Sequence, residues 1–338
     1  MPSIHVPRPW EIPERLATPE SAYLNRRQVV TSLGLGALSV ALPWSAGCAE
    51  TGRGAAAEGA SPERGKLDPA LGERFADLFP AKRSDAYDLR GRDLTAEETA
   101  AGHNNFYEFT TDKGGVWELA RRYPLPEPWT IEVVGMVKKP RTLSLDDVFK
   151  IAPLEERLYR FRCVEAWAMQ VPWTGFPLRA LIDHLEPLGS ATHVRFVSIL
   201  DKGNMVGQRE QDWYPWPYFE GLRLDEARHE LAFVVLGSYG HALPMQHGAP
   251  VRLAIPWKYG YKGPKSIVRI ELTDRQPGTF WNDLQPKEYG FYSNVDPGKP
   301  HPRWSQATET DIGTQEKRPT VLYNGYESVA SLYTGREF

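Results

Sequence analysis

In YRFRCVEAWAMQVPW, residues 159–173, a single cysteine stands among two arginines, a glutamate and two tryptophans. Cys163 is one of two cysteines in the chain. The other, Cys48, follows an apolar run near the N-terminus that is expected to be removed, which leaves Cys163 no internal disulfide partner. A thiolate is a strong ligand for soft or high-valent metals, and a strong nucleophile once its pKa is lowered. Arg160 and Arg162 alternate with Cys163 at an expected strand end, where their charge would favour the thiolate. The same residues also fit a buried cysteine used as a small core hydrophobe. Zinc is poorly matched, because no Cys-x-x-Cys and no close histidine pair accompanies the thiol. A cysteine hydrolase needs a histidine base, and His184, His229, His241 and His247 are candidates with no motif to select one.

Two further stretches carry polar chemistry. HNNFYEF, residues 103–109, offers the amides of Asn104 and Asn105 to a polar ligand, and reads equally as a turn leading into a strand. QHGAPVRLAIPWKYGYKGPKS, residues 246–266, sets Arg252, Lys258, Lys262 and Lys265 among Gly248, Gly260 and Gly263. Basic side chains beside glycine-rich backbone N–H groups suit a phosphate, and a solvated basic loop would have the same composition. Neither a P-loop nor a Rossmann fingerprint is present.

The elements that must position these residues are mostly strands. WTIEVVGMV (129–137), VRFVSIL (194–200), ELAFVVLGSYG (230–240), VRLAIPW (251–257) and KSIVRIEL (265–272) are β-branched or alternating. LSLDDVFKIAP places Ser144 as an N-cap with Asp147 three residues on, which predicts a short helix ending before Pro153. GFPLRALIDHL starts a helix near Pro177, with Leu178, Leu181, Ile182 and Leu185 on one face. From Asp274 onward, PG, DP, KP and HP pairs predict long ordered loops. The fold class expected is α+β, rich in β, with long loops.

The chain has 338 residues, a formal net charge of −3 and ordinary apolar and charged fractions, so a nucleic-acid partner is not expected. Arg26 and Arg27 precede a moderately apolar run from Val29 to about Leu42, and no acidic residue lies between Ser21 and Ala49. Residues 1–50 read as an export signal of the twin-arginine type. Residues 51–101 turn to Ala, Gly, Glu, Arg, Pro and Asp and read as a linker or extended arm, with the catalytic domain expected over 102–338.

NRRQV, NNFYEF, ERLYRFRCVEAWAMQVPWTGFPL, EGLRLDEA, ALPMQHGAPVRL, PWKYGYKGPKSIV, EYGFY, HPRWSQATE and NGY follow one another along the chain. In this order they resemble the molybdenum-containing catalytic subunits of periplasmic protein-methionine-sulfoxide reductases, in the sulfite-oxidase fold family. The resemblance runs from about Asn104 to Gly335. It implies a molybdopterin cofactor whose metal takes two sulfurs from the pterin and one from Cys163. Cofactor contacts are implied at Asn104, Tyr107, Glu108, Ser198, His247, Arg252, Gly263, Pro264 and Lys265, with Asn105 and Glu165 close to the metal. Ser198 and His247 stand where the family pattern has threonine and asparagine. Ser198 keeps a hydroxyl, and His247 is expected to carry a charge that varies with pH. The reaction implied is reduction of methionine sulfoxide, free-standing or in periplasmic proteins, to methionine. Trp167, Trp173 and Trp213 are expected around an aromatic mouth. The resemblance also implies a membrane haem-b subunit that passes electrons from the quinone pool. The alternative within the same fold family is a molybdoenzyme acting on another small S- or N-oxide, or on sulfite held by Arg160 and Arg162.

Overall fold

In the computed structural model the described residues are 69–334, and the arginine pair at 26 and 27, its apolar run and residues 51–68 lie outside them. Period-two alternation sets the strands. In the first, Ile131 and Val133 are buried and Glu132 is exposed. The described residues form β1 (Thr130–Gly135), β2 (Arg141–Ser144), β3 (Glu155–Arg162), β4 (Trp167–Pro177), β5 (His193–Ser198) and β6 (Phe219–Arg223). Then come β7 (Phe233–Ser238), β8 (His241–Ala242), β9 (Arg252–Ala254), β10 (Ile267–Thr273), β11 (Thr308–Asp311) and β12 (Lys317–Pro319). One sheet runs β2-β1-β10-β5-β6, and the other runs β12-β11-β4-β7-β8 with β3 on β4 and β9 on β7. Short helices join them, as an α+β fold requires. No helix among the described residues is long and apolar enough to cross a membrane.

The helix signals act as their chemistry demands. Ser144 Oγ accepts from the Asp147 N–H at 3.2 Å, and the Asp147 carboxylate accepts from the Ser144 N–H at 2.8 Å. This reciprocal cap starts the helix Leu145–Phe149. Helix Leu178–His184 begins at Pro177 and buries Leu178, Leu181 and Ile182.

β4 is the axis of the second sheet. β3 pairs along one of its edges, from Glu155 opposite Gly175 to Arg162 opposite Ala168. The other edge is shared, with β11 beside Trp167 and Ala168 and β7 beside Trp173–Pro177. The gap is filled from the stretch read as an arm. The Thr95 N–H donates to the Gln170 carbonyl at 3.0 Å, and Thr95 Oγ1 accepts from the Gln170 N–H at 2.9 Å. An interior strand cannot leave such groups unpaired. Residues 69–101 also bury Leu71, Phe75, Leu89, Ala100 and Ala101, and Phe75 stacks on Phe149 at 3.8 Å. The packed body therefore reaches back before residue 102.

Candidate active site

Cys163 sits at the tip of the β3–β4 hairpin. The Ala166 N–H donates to the Cys163 carbonyl at 3.1 Å, and the Cys163 N–H to the Trp167 carbonyl at 2.9 Å. Residues 164–166 thus form a three-residue loop whose last member, Ala166, takes the left-handed conformation at φ 64°. The turn folds the Glu165 backbone N–H back to within 3.5 Å of Cys163 Sγ. Its carbonyls are clamped from the far end of the chain. Trp304 Nε1 and Gln306 Nε2 each donate to the Val164 carbonyl at 2.7 Å. Arg162 donates to the Cys163 carbonyl, and its guanidinium is itself held by Glu309 at 3.1 Å and Gln306 at 2.8 Å.

The thiol faces a cleft of about 850 Å³, counted out to its mouth. Asn105 Nδ2 lies 3.3 Å from Cys163 Sγ and donates to Glu165 Oε2 at 2.7 Å. Glu165 also accepts from Trp167 Nε1 at 3.2 Å and pairs with Lys113 at 3.1 Å. Burial alone would raise the Glu165 pKa, but these donors outweigh it and hold the carboxyl below its usual range.

Asn104, Asn105, Tyr107, Glu108, Cys163, Glu165, His247, Arg252 and Lys265 all line this one cleft. Ser198, Gly263 and Pro264 do not line it, although the Ser198 N–H donates at 2.8 Å to the carbonyl of Tyr218, which does. The Pro264 carbonyl accepts from the Leu253 N–H, and a Cβ at position 263 would come within 3.2 Å of Arg252 Nη2. Gly248, at φ 98°, clears the way for Lys265, whose Cβ would lie 2.6 Å from any side chain there.

Four expectations are corrected by burial and long-range pairing. First, the Cys163 thiol is pushed up to about 12, by burial and then by the Glu165 carboxylate, with Arg162 only a weaker opposing influence. Arg160 points elsewhere, its ring-facing guanidinium 4.2 Å from the Tyr326 centroid and its Nε donating to the Asn324 carbonyl. Second, His247 is fully buried, and burial with the nearby Arg252 charge lowers its pKa to about 3. It is a neutral imidazole, not a pH-dependent cation. Third, Lys258 and Lys262 are consumed by Glu226 and Glu220, each at 2.5 Å, and leave Arg252 and Lys265 as the cations of the cleft. Fourth, of the three tryptophans expected at the mouth only Trp167 lines the cleft. Trp173 is core, under Arg252, and Trp213 is 66% exposed outside it. The aromatic wall that the sequence reading missed is Tyr218, Phe280, Trp281 and Tyr289. EYGFY was noted at Tyr289, but nothing local marked Phe280 and Trp281 as facing a thiol more than a hundred residues away.

The residues present fit a molybdopterin. Among the described residues no group of three or more His, Cys, Asp or Glu side chains could hold a metal, so a metal at Cys163 would need further ligands from a cofactor. Several buried polar atoms lack any partner within the protein: His247 Nε2, Ser198 Oγ and Asn105 Oδ1. Such groups are costly unless a ligand satisfies them. Buried Arg252 and half-buried Lys265 are cations without a salt bridge; desolvation lowers them to about 10 and about 8, and Glu108 only partly offsets this at Lys265. Two such charges await an anion.

Comparison with known proteins agrees with this geometry. Residues 120–281 match the family model described as an oxidoreductase molybdopterin binding domain. The protein-methionine-sulfoxide reductase catalytic subunit MsrP of Ralstonia nicotianae is 46% identical over 97% of this chain and 95% of its own. The protein of the same name from Pseudomonas syringae pv. tomato is 45% identical over 94% of this chain and 93% of its own. A solved structure of the sulfane dehydrogenase SoxCD from Paracoccus pantotrophus aligns at a TM-score of 0.42 and 14% identity, over 77% of this chain and 64% of that one. That likeness is too slight to carry an argument.

Proposed function

The chain belongs to the family of protein-methionine-sulfoxide reductase catalytic subunits, and from that premise we propose that it repairs oxidised methionines in periplasmic proteins. The coarse activity, molybdenum- and molybdopterin-dependent reduction of a sulfoxide, comes with the family. The observation that supports the placement is the lone thiol aimed into a cleft whose opposite wall holds Arg252, Lys265 and the unpartnered His247 Nε2. Cys163 would hold the metal, while Arg252, Lys265, His247 and Ser198 would hold the pterin and its phosphate. Positive charge at Sγ would displace the thiol proton that burial retains. When bound, the cofactor supplies the two electrons that turn a sulfoxide into a thioether and water.

The chain's own groups manage position and protons. Asn105 fixes Glu165 through Nδ2 and leaves Oδ1 free to orient a neighbour. Glu165, kept ionised and half-buried beside Lys113, would hold Asn105 and Trp167 in place beside the reacting group and would not itself supply the proton. The Tyr107 pKa is raised by burial and then by Glu165, so its hydroxyl stays protonated as a donor within the cleft. Tyr289 and Trp281 give an apolar rim for a methionine side chain. A neutral sulfoxide suits this mouth better than sulfite does. Neither Arg160 nor Arg162 lines the cleft, and an anion there would meet the Glu165 carboxylate 3.6 Å from Sγ.

Both relatives are described as catalytic subunits, which supports a separate electron-supplying partner; we assign that role to a membrane haem-b subunit fed by quinone. Arg26 and Arg27 support export by the twin-arginine route to the periplasm. The test is molybdenum and pterin analysis of wild type beside Cys163→Ala, with methyl aryl sulfoxide and sulfite offered separately. Wild type should carry molybdenum and reduce the sulfoxide, and the variant should lose both. Equal molybdenum and equal turnover in the two proteins would overturn the assignment.

A further inference from the structure

A second cleft, of about 720 Å³ counted to its mouth, adjoins the first. Val164, Tyr261 and Tyr289 line both, so the two meet beside the Cys163 turn. Most of its wall comes from residues 286–306, stiffened by Pro286, Pro300 and Pro302. Such a wall loses little freedom when something binds against it. Its charges, Lys287, Glu288, Asp296 and Lys299, are of both signs, which favours no particular ligand charge.

One polar atom in this wall is out of balance. His301 is buried, and its ring stacks on Trp304 at 3.8 Å. His301 Nδ1 accepts from the Arg303 N–H at 3.2 Å, which places the imidazole proton on Nε2. Nε2 has no hydrogen-bond partner, although the Glu288 carboxylate lies 3.4 Å away outside bonding geometry and is engaged by Arg303 at 2.7 Å. Burial holds the His301 pKa below its usual value, so the ring presents one neutral donor.

We propose that this second cleft binds the backbone of the polypeptide flanking a methionine sulfoxide, with His301 Nε2 donating to one of its carbonyl oxygens. The inference rests on the reading of the Cys163 cleft as a reductase site for that side chain. It adds that the substrate is an extended, unstructured segment: a folded surface could not reach the buried donor, and free methionine sulfoxide in the Cys163 cleft would leave the second cleft empty. Recognition through a main-chain carbonyl and a wall of mixed charge is indifferent to sequence.

Two substitutions test it in the cofactor-loaded protein. His301→Phe keeps the stack on Trp304 and deletes the donor. Lys287→Trp, at an exposed position of the wall, fills the cleft. Each is assayed with a small aryl sulfoxide and with a disordered peptide bearing one central methionine sulfoxide. Binding of the corresponding methionine peptide, followed by fluorescence anisotropy, needs no electrons. His301→Phe should bind the peptide about tenfold more weakly, as the loss of one hydrogen bond predicts, Lys287→Trp should weaken it at least as much by steric exclusion, and each should reduce the peptide with kcat/KM lowered to match. Turnover of the small sulfoxide should stay within about twofold. Peptide binding that ignores both substitutions would overturn the subsite while leaving the reductase assignment standing. Equal losses on both substrates would also overturn it, by making His301 a support of the Cys163 turn. Peptide binding that depends on His301, in a protein that reduces no sulfoxide, would keep the subsite and sink the reductase reading.

Discussion

Four cations come from one short run of sequence, Arg252, Lys258 and Lys262 buried and Lys265 half-buried, and they divide into two pairs. Lys258 and Lys262 are fully satisfied. Lys258 Nζ donates to Glu226 at 2.5 Å, to Asn294 at 3.0 Å and to the Tyr292 carbonyl at 2.9 Å. Lys262 Nζ donates to Glu220 at 2.5 Å and to the Gly221 carbonyl at 2.9 Å. Arg252 has backbone carbonyls only, those of His247 and Leu253, and burial is the sole influence on its pKa. Lys265 has the ring of Phe106 at 5.0 Å and no salt bridge. All four are basic side chains, and what differs is whether the fold supplies a carboxylate. Paired charges brace the chain, and unpaired ones are set aside for a ligand.

Removing one partner of a braced pair gives the largest expected effect. Lys258→Met should cost about 3–5 kcal/mol in urea unfolding, because Glu226 is left charged and buried. Adding Glu226→Leu should recover most of that loss. Lys265→Met should cost the cofactor-free protein almost nothing, yet lower retained pterin about tenfold or more through a lost charge-assisted contact. A Lys265→Met protein as destabilised as Lys258→Met would erase the distinction.

The smallest effect concerns two histidines six residues apart. Burial would lower His241, but its bond to Glu97 outweighs this and raises the pKa, whereas His247 has no acid and falls to about 3. A raised folded pKa means that folding favours protonated His241. Its contribution is fully present below the unfolded value of about 6.5 and is lost as pH climbs through the raised folded value. Stability followed by urea across that interval should fall by up to about 1 kcal/mol, and Glu97→Gln should flatten the curve. His247 should not titrate there at all.

Much of the scaffold was legible because it is local. Period-two alternation located β1, β5 and β10, and Ser144 with Asp147 marked a helix start that needs only three residues to form. The isolated thiol and the asparagine pair were legible by chemical type. Pairing was not. Lys258 and Glu226 are 32 residues apart, Lys262 and Glu220 are 42, and Arg162 and Glu309 are 147. Composition records four cations in the run and cannot say which will meet an acid. The same limit produced the wrong sign for Cys163. Neighbouring arginines suggested a stabilised thiolate, but their guanidiniums turn to partners at Glu309 and Asn324, and desolvation decides.

The clamp on the hairpin tip constrains the order of assembly. Cys163 is synthesised near the middle of the polypeptide, whereas the side chains that grip its turn, Trp304, Gln306 and Glu309, emerge close to the end. A nascent chain halted before them owns the sulfur but cannot aim it. If Cys163 holds the metal, competence to receive it is acquired only when the segment carrying Trp304, Gln306 and Glu309 docks, so that loading itself reports that this segment is in place.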